Sequence, residues 1–404
     1  MADRPVDLNA PATPPAKPTG PAVLPGRGNQ PEPEGGTGGK AVGRVLDVLI
    51  RSVVPVVLAL IAGAIILIAL GRSPVTFYSA VWQYGVENGA WQDSAITMAP
   101  LLLIATGLTV VFRANIWNLG YNGQFLIGAA LVAGVAPRFG PSWPAIVVIA
   151  LMFLVAAAAG AAWTIIPSVL KARYGTNEII TTLMMSFIGI DVANILVKGP
   201  FQDPTVNIPQ TRLVPYNFML PSIPGTRIHD GVLVALVLAV VVQLVMTRTA
   251  FGLRLQILGA NPRAADHVGV NVSRMIITSF LISGALVGAA AAADILGLWG
   301  YVRANWNPAY GDTVIPFIFL ARLNSIAVIP FVAFYAVLQT GGDLAVNQVN
   351  LPTDFMLVLV ALILLFMTVI EYFGRRRALG TSYVSPGFIR AIRAPLFSRR
   401  EASE

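Results

Sequence analysis

The chain has no cysteine. That excludes disulfides, iron–sulfur clusters and thiolate metal sites, and it says little about compartment. Histidine is nearly as scarce: His229 and His267 are the only two, in expected loops on opposite sides of the apolar spans. No H-E-x-x-H or G-x-S-x-G pattern occurs, so zinc-peptidase and serine-hydrolase chemistry of those types has no residues to work with. No catalytic residue and no metal ligand is expected, and the chain reads as a non-enzyme. Charge is sparse as well. Charged side chains make up 11% of the 404 residues, against roughly 25% in a soluble domain. With 56% hydrophobic residues and a mean hydropathy of +0.72, this composition belongs to a polytopic, all-α membrane protein.

The net charge of +8 raises nucleic acid as a partner. The basic residues, however, sit in loops and tails beside apolar runs, which positive-inside topology explains more simply. The first stretch, 1–43, is rich in Pro, Gly and Ala with no apolar period, and is expected to be a disordered cytoplasmic tail. It lacks the apolar core of a signal peptide. Its GGTGGK (35–40) has Ala41 where a phosphate loop needs Ser or Thr, and Glu34 in place of the first Gly, so the chain carries no ATP-binding motif of its own.

A membrane domain over 44–374 follows. Its spans are expected near 53–70, 94–112, 117–136, 144–167, 179–197, 231–246 and 275–298, each close to the roughly 20 residues that cross the hydrocarbon. The stretch 313–339 is too long for one upright span and holds Arg322, Asn324 and Ser325 at its middle, so it splits into two shorter helices. A last span at 355–373 leads into Arg375, Arg376 and Arg377 and a basic tail, 375–404, that suits an anionic lipid surface. The count is about ten crossings with both termini cytoplasmic, because only the split puts the triple Arg on the same side as the basic loop at 248–274. The segment 199–230 then faces outside.

That basic loop is the most informative stretch. Within 250–273, Asn261 is a good helix N-cap, Pro262 suits a first helical position, and Gly269 ends the second of two short helices. The physical expectation is a compact basic knob between two spans. GANPRAADHVGV (259–270) resembles the coupling-loop motif of ABC importer permeases in the group serving ribose-type sugars, nucleosides and branched-chain amino acids. The resemblance implies that Gly259, Asn261, Pro262, Arg263, Ala264, Ala265 and Gly269 dock on an ATPase subunit. It also implies a second, similar permease subunit and an extracytoplasmic substrate-binding protein as partners, and a bacterial inner-membrane location. No cofactor is expected in this chain; ATP and Mg²⁺ would belong to the partner.

Other stretches extend the resemblance. RANIWNLGYNGQ (113–124) is similar to the group's N-x-G-x-x-G-Q signature at Asn118, Gly120, Gly123 and Gln124, with Asn122 where Glu is common. Asn177, Glu178, Gly199 and Pro200 resemble the nucleoside branch; on physical grounds alone Thr176 or Asn177 caps the helix there. Asp191 lies mid-span, where an ionisable group needs a partner or an aqueous path, and Arg322 is one candidate partner. Asn118, Asn122, Gln124, Asp191, Trp306 and Gln339 are therefore the expected substrate-path residues. Gly284 and Gly288 form a small-residue packing face, and the aromatics from Trp299 to Tyr310 read as an interfacial belt or a stacking platform. The function expected is a nucleoside importer permease, with a ribose-type or branched-chain amino-acid permease, or an ion-coupled secondary transporter, as alternatives.

Overall fold

The structure, a computed structural model, describes residues 37–352 and 354–378, with side chains described over 53–352 and 354–373. The chain divides into two units, Met1–Asp47 and Val48–Glu404. The second carries everything discussed here. Its helices are α1 (Thr37–Ala69, which begins in the first unit), α2 (Pro74–Gly85), α3 (Trp91–Arg113), α4 (Tyr121–Val135), α5 (Ala145–Trp163), α6 (Ile165–Tyr174) and α7 (Glu178–Lys198). They continue as α8 (Gly231–Arg248), α9 (Ala250–Ala260), α10 (Pro262–His267), α11 (Val272–Asp294), α12 (Tyr310–Leu320), α13 (Val328–Gln348) and α14 (Phe355–Ala378). Among the described residues there is no strand beyond isolated bridges. Among the described residues seven helical stretches are long and apolar enough to cross a membrane, so the chain is a multi-pass, all-α membrane protein.

The core is built on α3 and α11. The apolar window of α3 is 89% buried against 28% for α7, so α3 is the central post and α7 is peripheral. An all-round apolar helix is what a buried position demands. The approach of α11 to α5 depends on missing side chains. A Cβ on Gly284 or Gly288 would overlap the carbonyl oxygens of Gly160 and Ala156. The small-residue face expected from sequence thus brings two backbones into contact, which is how helices gain packing energy where no water is displaced.

Several boundaries differ from expectation. Helix α1 starts at Thr37, inside the expected 1–43 tail, because Val42, Val45, Leu46 and Leu49 repeat at helical spacing. The remainder of that tail, 1–36, lies outside the described residues, as does 379–404; α14 runs through the triple Arg to Ala378. The expected span 117–136 begins as a helix only at Tyr121, and 144–167 breaks at Thr164 into α5 and α6. Helix α2 was not expected. Ser73 caps it and Pro74 opens it, but its mixed Trp-Gln-Tyr composition hides it from a hydropathy reading. It packs on α13, where a Cβ on Gly341 would overlap the Val81 carbonyl.

The 313–339 stretch does split, at the turn 321–327. The two pieces are unequal, though. Helix α13 is a full-length span, whereas the 11 residues of α12 cover only about 16 Å at 1.5 Å per residue, half of a bilayer's roughly 30 Å.

Candidate functional site

At one end of the bundle, α9 and α10 form the expected knob. Asn261 Oδ1 accepts from the backbone N–H groups of Arg263 (3.0 Å) and Ala264 (3.2 Å), with Pro262 at the first helical position. Gly269, at φ +79°, closes α10, and the Val270 N–H returns to the Ala265 carbonyl. Ala265 is fully buried under the knob, while Arg263 and Ala264 are exposed. Gly259 sits against the end of α3, where a Cβ would overlap the Arg113 carbonyl oxygen. The seven residues read from sequence therefore form one unit with an exposed tip and a buried root.

The same end carries the 113–124 turn, and here the structure relocates two expected path residues. Asn118 and Gln124 hold each other in a reciprocal amide pair, with Gln124 Nε2 donating to Asn118 Oδ1 at 3.0 Å and Asn118 Nδ2 donating to Gln124 Oε1 at 3.2 Å. Asn118 also donates to Ser283 of α11 and accepts from the Gly120 N–H. Both side chains are essentially inaccessible. They latch the turn to α11 instead of lining a path, because a buried amide is tolerated only when its donors and acceptors are met. At the start of α7, Asn177 is the cap, accepting from Ile179, and Glu178 pairs with Lys171 at 2.7 Å.

Asn122 behaves differently. Its side chain and the Tyr121 hydroxyl both donate to Asp312, at 2.9 and 2.6 Å, and Asp312 is exposed. This joins the first turn of α4 to the first turn of α12. The segment before α12 explains how that helix starts so deep. After Asp294, α11 widens into a π turn over Ile295–Trp299, and the chain then re-enters the bundle with left-handed residues at Gly300, Asn305 and Ala309. Trp306 and Tyr310 both pack on Phe125, one turn from the start of α4. Asn194 of α7 accepts from the Asn305 N–H at 2.6 Å. Irregular backbone at this depth is tolerated only where protein or a water-filled cavity meets it.

The surface around this re-entrant segment is consequently polar. It carries Asp191, Asn305, Asn307 and Asp312 exposed, with Asn122, Asn194 and Trp306 half-buried beside them. Asp191 makes no ion pair among the described residues. The expected partner, Arg322, lies in the turn at the knob end, whereas Asp191 is past the middle of α7. Trp306 is half-buried and packed on Phe125 and Trp299. Gln339 lies elsewhere, on α13, with a buried Oε1 that has no hydrogen-bond partner among the described residues. Asp294 and Tyr310, missed as site residues, are buried close together behind the re-entrant segment. A carboxylate ending a run of five alanines was the signal available.

The opposite end is closed by residues 199–230. This Pro-rich segment is well tied down. Thr211 and Val302 exchange hydrogen bonds, Val214 N–H reaches Gly300, and Leu220 N–H reaches Leu296. His229 is buried against Gly297, and its Nδ1 accepts from the Gly231 N–H at 3.1 Å. Burial pushes its pKa down to about 4, with Asp230 opposing.

Known proteins match this architecture along most of its length. The chain is 32% identical to the glucose ABC transporter permease protein TsgB13 of Haloferax volcanii, covering 80% of this chain and 88% of that protein. It is 29% identical to the guanosine ABC transporter permease protein NupP of Bacillus subtilis, over 80% and 93%. To the nucleoside ABC transporter permease protein NupB of Lactococcus lactis it is 26% identical, over 78% and 89%. No solved structure matches. The model of the family described as branched-chain amino acid transport system / permease component matches residues 92–368, from the start of α3 into α14 and across the knob and the re-entrant segment alike, and the chain belongs to that family.

Proposed function

We propose that this permease is the membrane-spanning subunit of an ATP-driven nucleoside importer, set in a bacterial inner membrane with both termini cytoplasmic. The observation that carries the reading is the α9–α10 knob, whose capped, exposed tip is rooted by Gly259 on the central helix α3. Such a knob suits docking on an ATPase subunit, which would hold ATP and Mg²⁺. A second permease subunit and an external binding protein complete the assembly. The basic residues at the knob end support a cytoplasmic placement.

For the substrate, two relatives are named for guanosine and nucleosides. The polar face around the re-entrant segment fits that chemistry. Asn and Asp side chains can bond ribose hydroxyls, and Trp306 offers a ring for a base. Sugar is the second reading, favoured by the 32% identity to a glucose permease. The test is uptake of radiolabelled guanosine and glucose into proteoliposomes holding the chain with its ATPase and permease partners and supplied with the binding protein. ATP-dependent guanosine uptake that excess glucose leaves unchanged supports the nucleoside reading. ATP-dependent glucose uptake alone would replace it with sugar, and uptake driven by an ion gradient without ATP would overturn the importer reading.

A further inference from the structure

The turn between α12 and α13 is held by a residue outside both helices. Arg113, the last residue of α3, donates from Nε to the Leu323 carbonyl at 2.8 Å and from Nη2 to Gln243 Oε1 of α8 at 3.2 Å. The same Gln243 oxygen accepts the Ser325 N–H at 3.0 Å. One guanidinium and one amide thus span α3, α8 and both sides of the turn. Around them Phe112 stacks on Phe319 at 5.3 Å and Trp117 lies on both rings. These contacts join the end of α3 to the end of α12.

The held turn is strained. Arg322 and Leu323 are consecutive residues with side chains in the left-handed region, at φ 52° and 58°. Each such residue costs on the order of 1–2 kcal/mol and persists only when its surroundings over-determine it. The Arg322 and Leu323 N–H groups bond back to Phe319 and Ile318 of α12, and the bond from Arg113 to the Leu323 carbonyl ties the turn to α3.

Arg113 meets the knob through its own backbone. Its carbonyl oxygen is the atom that Gly259 of α9 abuts. At its far end α12 carries Tyr310 and Asp312, beside the polar face. One residue therefore connects the knob, through a strained turn, to the 11-residue helix α12. We propose that Arg113 is a positioning residue that ties the α9–α10 knob to the α12–α13 turn, so that its loss separates ATP consumption from substrate movement. The proposal rests on the ATP-driven importer reading.

The test uses the whole complex in proteoliposomes, with phosphate release and uptake of radiolabelled guanosine and glucose measured together for native chain, Arg113→Lys and Arg113→Gln. Because the chain has no cysteine, spin labels on Val268→Cys and Ile326→Cys, both exposed positions in the knob and the turn, report the knob–turn distance by pulsed EPR. In Arg113→Gln, ATP hydrolysis is expected to stay within about twofold while ATP consumed per substrate rises about tenfold, a typical coupling magnitude. The knob–turn distance, single in the native complex, is expected to broaden. Arg113→Lys, which keeps the charge but loses the fork, is expected to fall between. Uptake and hydrolysis falling in proportion in both variants, or native values with an unbroadened distance, would overturn the proposal alone. A native complex with no ATP-dependent uptake of either probe would overturn the importer reading and this proposal with it.

Discussion

The Tyr121 hydroxyl donates a 2.6 Å hydrogen bond to Asp312, joining the first turns of two helices that both begin inside the bundle. Gly311 makes this possible. A Cβ there would overlap the Tyr121 ring, so the two helix starts meet ring against backbone. Tyr121→Phe keeps the ring and removes one bond to a carboxylate. The expected loss is about 1 kcal/mol of stability, because Asp312 is exposed and solvent replaces part of the bond. Thermal unfolding in detergent checks this, and transport is expected to fall more than the small stability change explains.

Gly288 tests whether α5 and α11 touch through their backbones. Gly288→Ala places a methyl group where the Ala156 carbonyl lies, and overpacking of this kind costs about 1–3 kcal/mol. Gly140→Ala is the control, since its nearest neighbour would be 3.9 Å away. The first variant is expected to unfold several degrees earlier than native and the second at the native temperature.

Asp191 stands on α7 between the exposed apolar residues Phe187, Ile188 and Ile195 and the half-buried Asn194 that accepts from the Asn305 N–H. On a lipid-facing surface a mid-span carboxylate costs about 2.5–3.5 kcal/mol. Asp191→Leu would then raise expression and stability with transport kept. The expected outcome is the reverse, with stability within about 0.5 kcal/mol of native and uptake lost, read by unfolding and uptake on the same preparation.

His229 sets a pH dependence at the end opposite the knob. Burial holds its pKa near 4, below the ordinary 6.5, so the folded chain keeps it neutral where the unfolded chain takes a proton. Its contribution to stability is full above about pH 6.5 and is lost as pH falls towards 4. His229→Asn keeps an acceptor for the Gly231 N–H and does not titrate. The unfolding temperature of native chain is expected to fall faster than that of the variant across this window, and parallel curves would remove His229 as the cause.

The knob was legible in the sequence because its signals are local. Asn261, Pro262 and Gly269 act through backbone bonds within a few residues of themselves, and each occupies the position its chemistry suggests. The Gly284 and Gly288 face was legible for a similar reason, since small residues at helical spacing have one strong use in a membrane. Helix α2 was not legible, because it owes its place to Val81 and the bare Gly341 on a helix far away in sequence. The fate of the amides was equally hidden. Asn118 and Asn122 are alike in type and lie in one turn, yet one is sealed against Gln124 and Ser283 and the other reaches Asp312.

Composition and hydropathy by themselves determined that this is a multi-pass helical membrane protein without thiol chemistry, and local capping residues determined a basic knob between two spans. Those properties follow from solvent transfer and from bonds between neighbours, which a linear sequence carries in full. Only the tertiary structure decided that α12 begins against the first turn of α4, that Asp191 is exposed with no ion pair among the described residues, and that Arg113 joins the knob to the α12–α13 turn. Each depends on which side chains meet across long sequence separations, and the packing of backbones at glycine settles that.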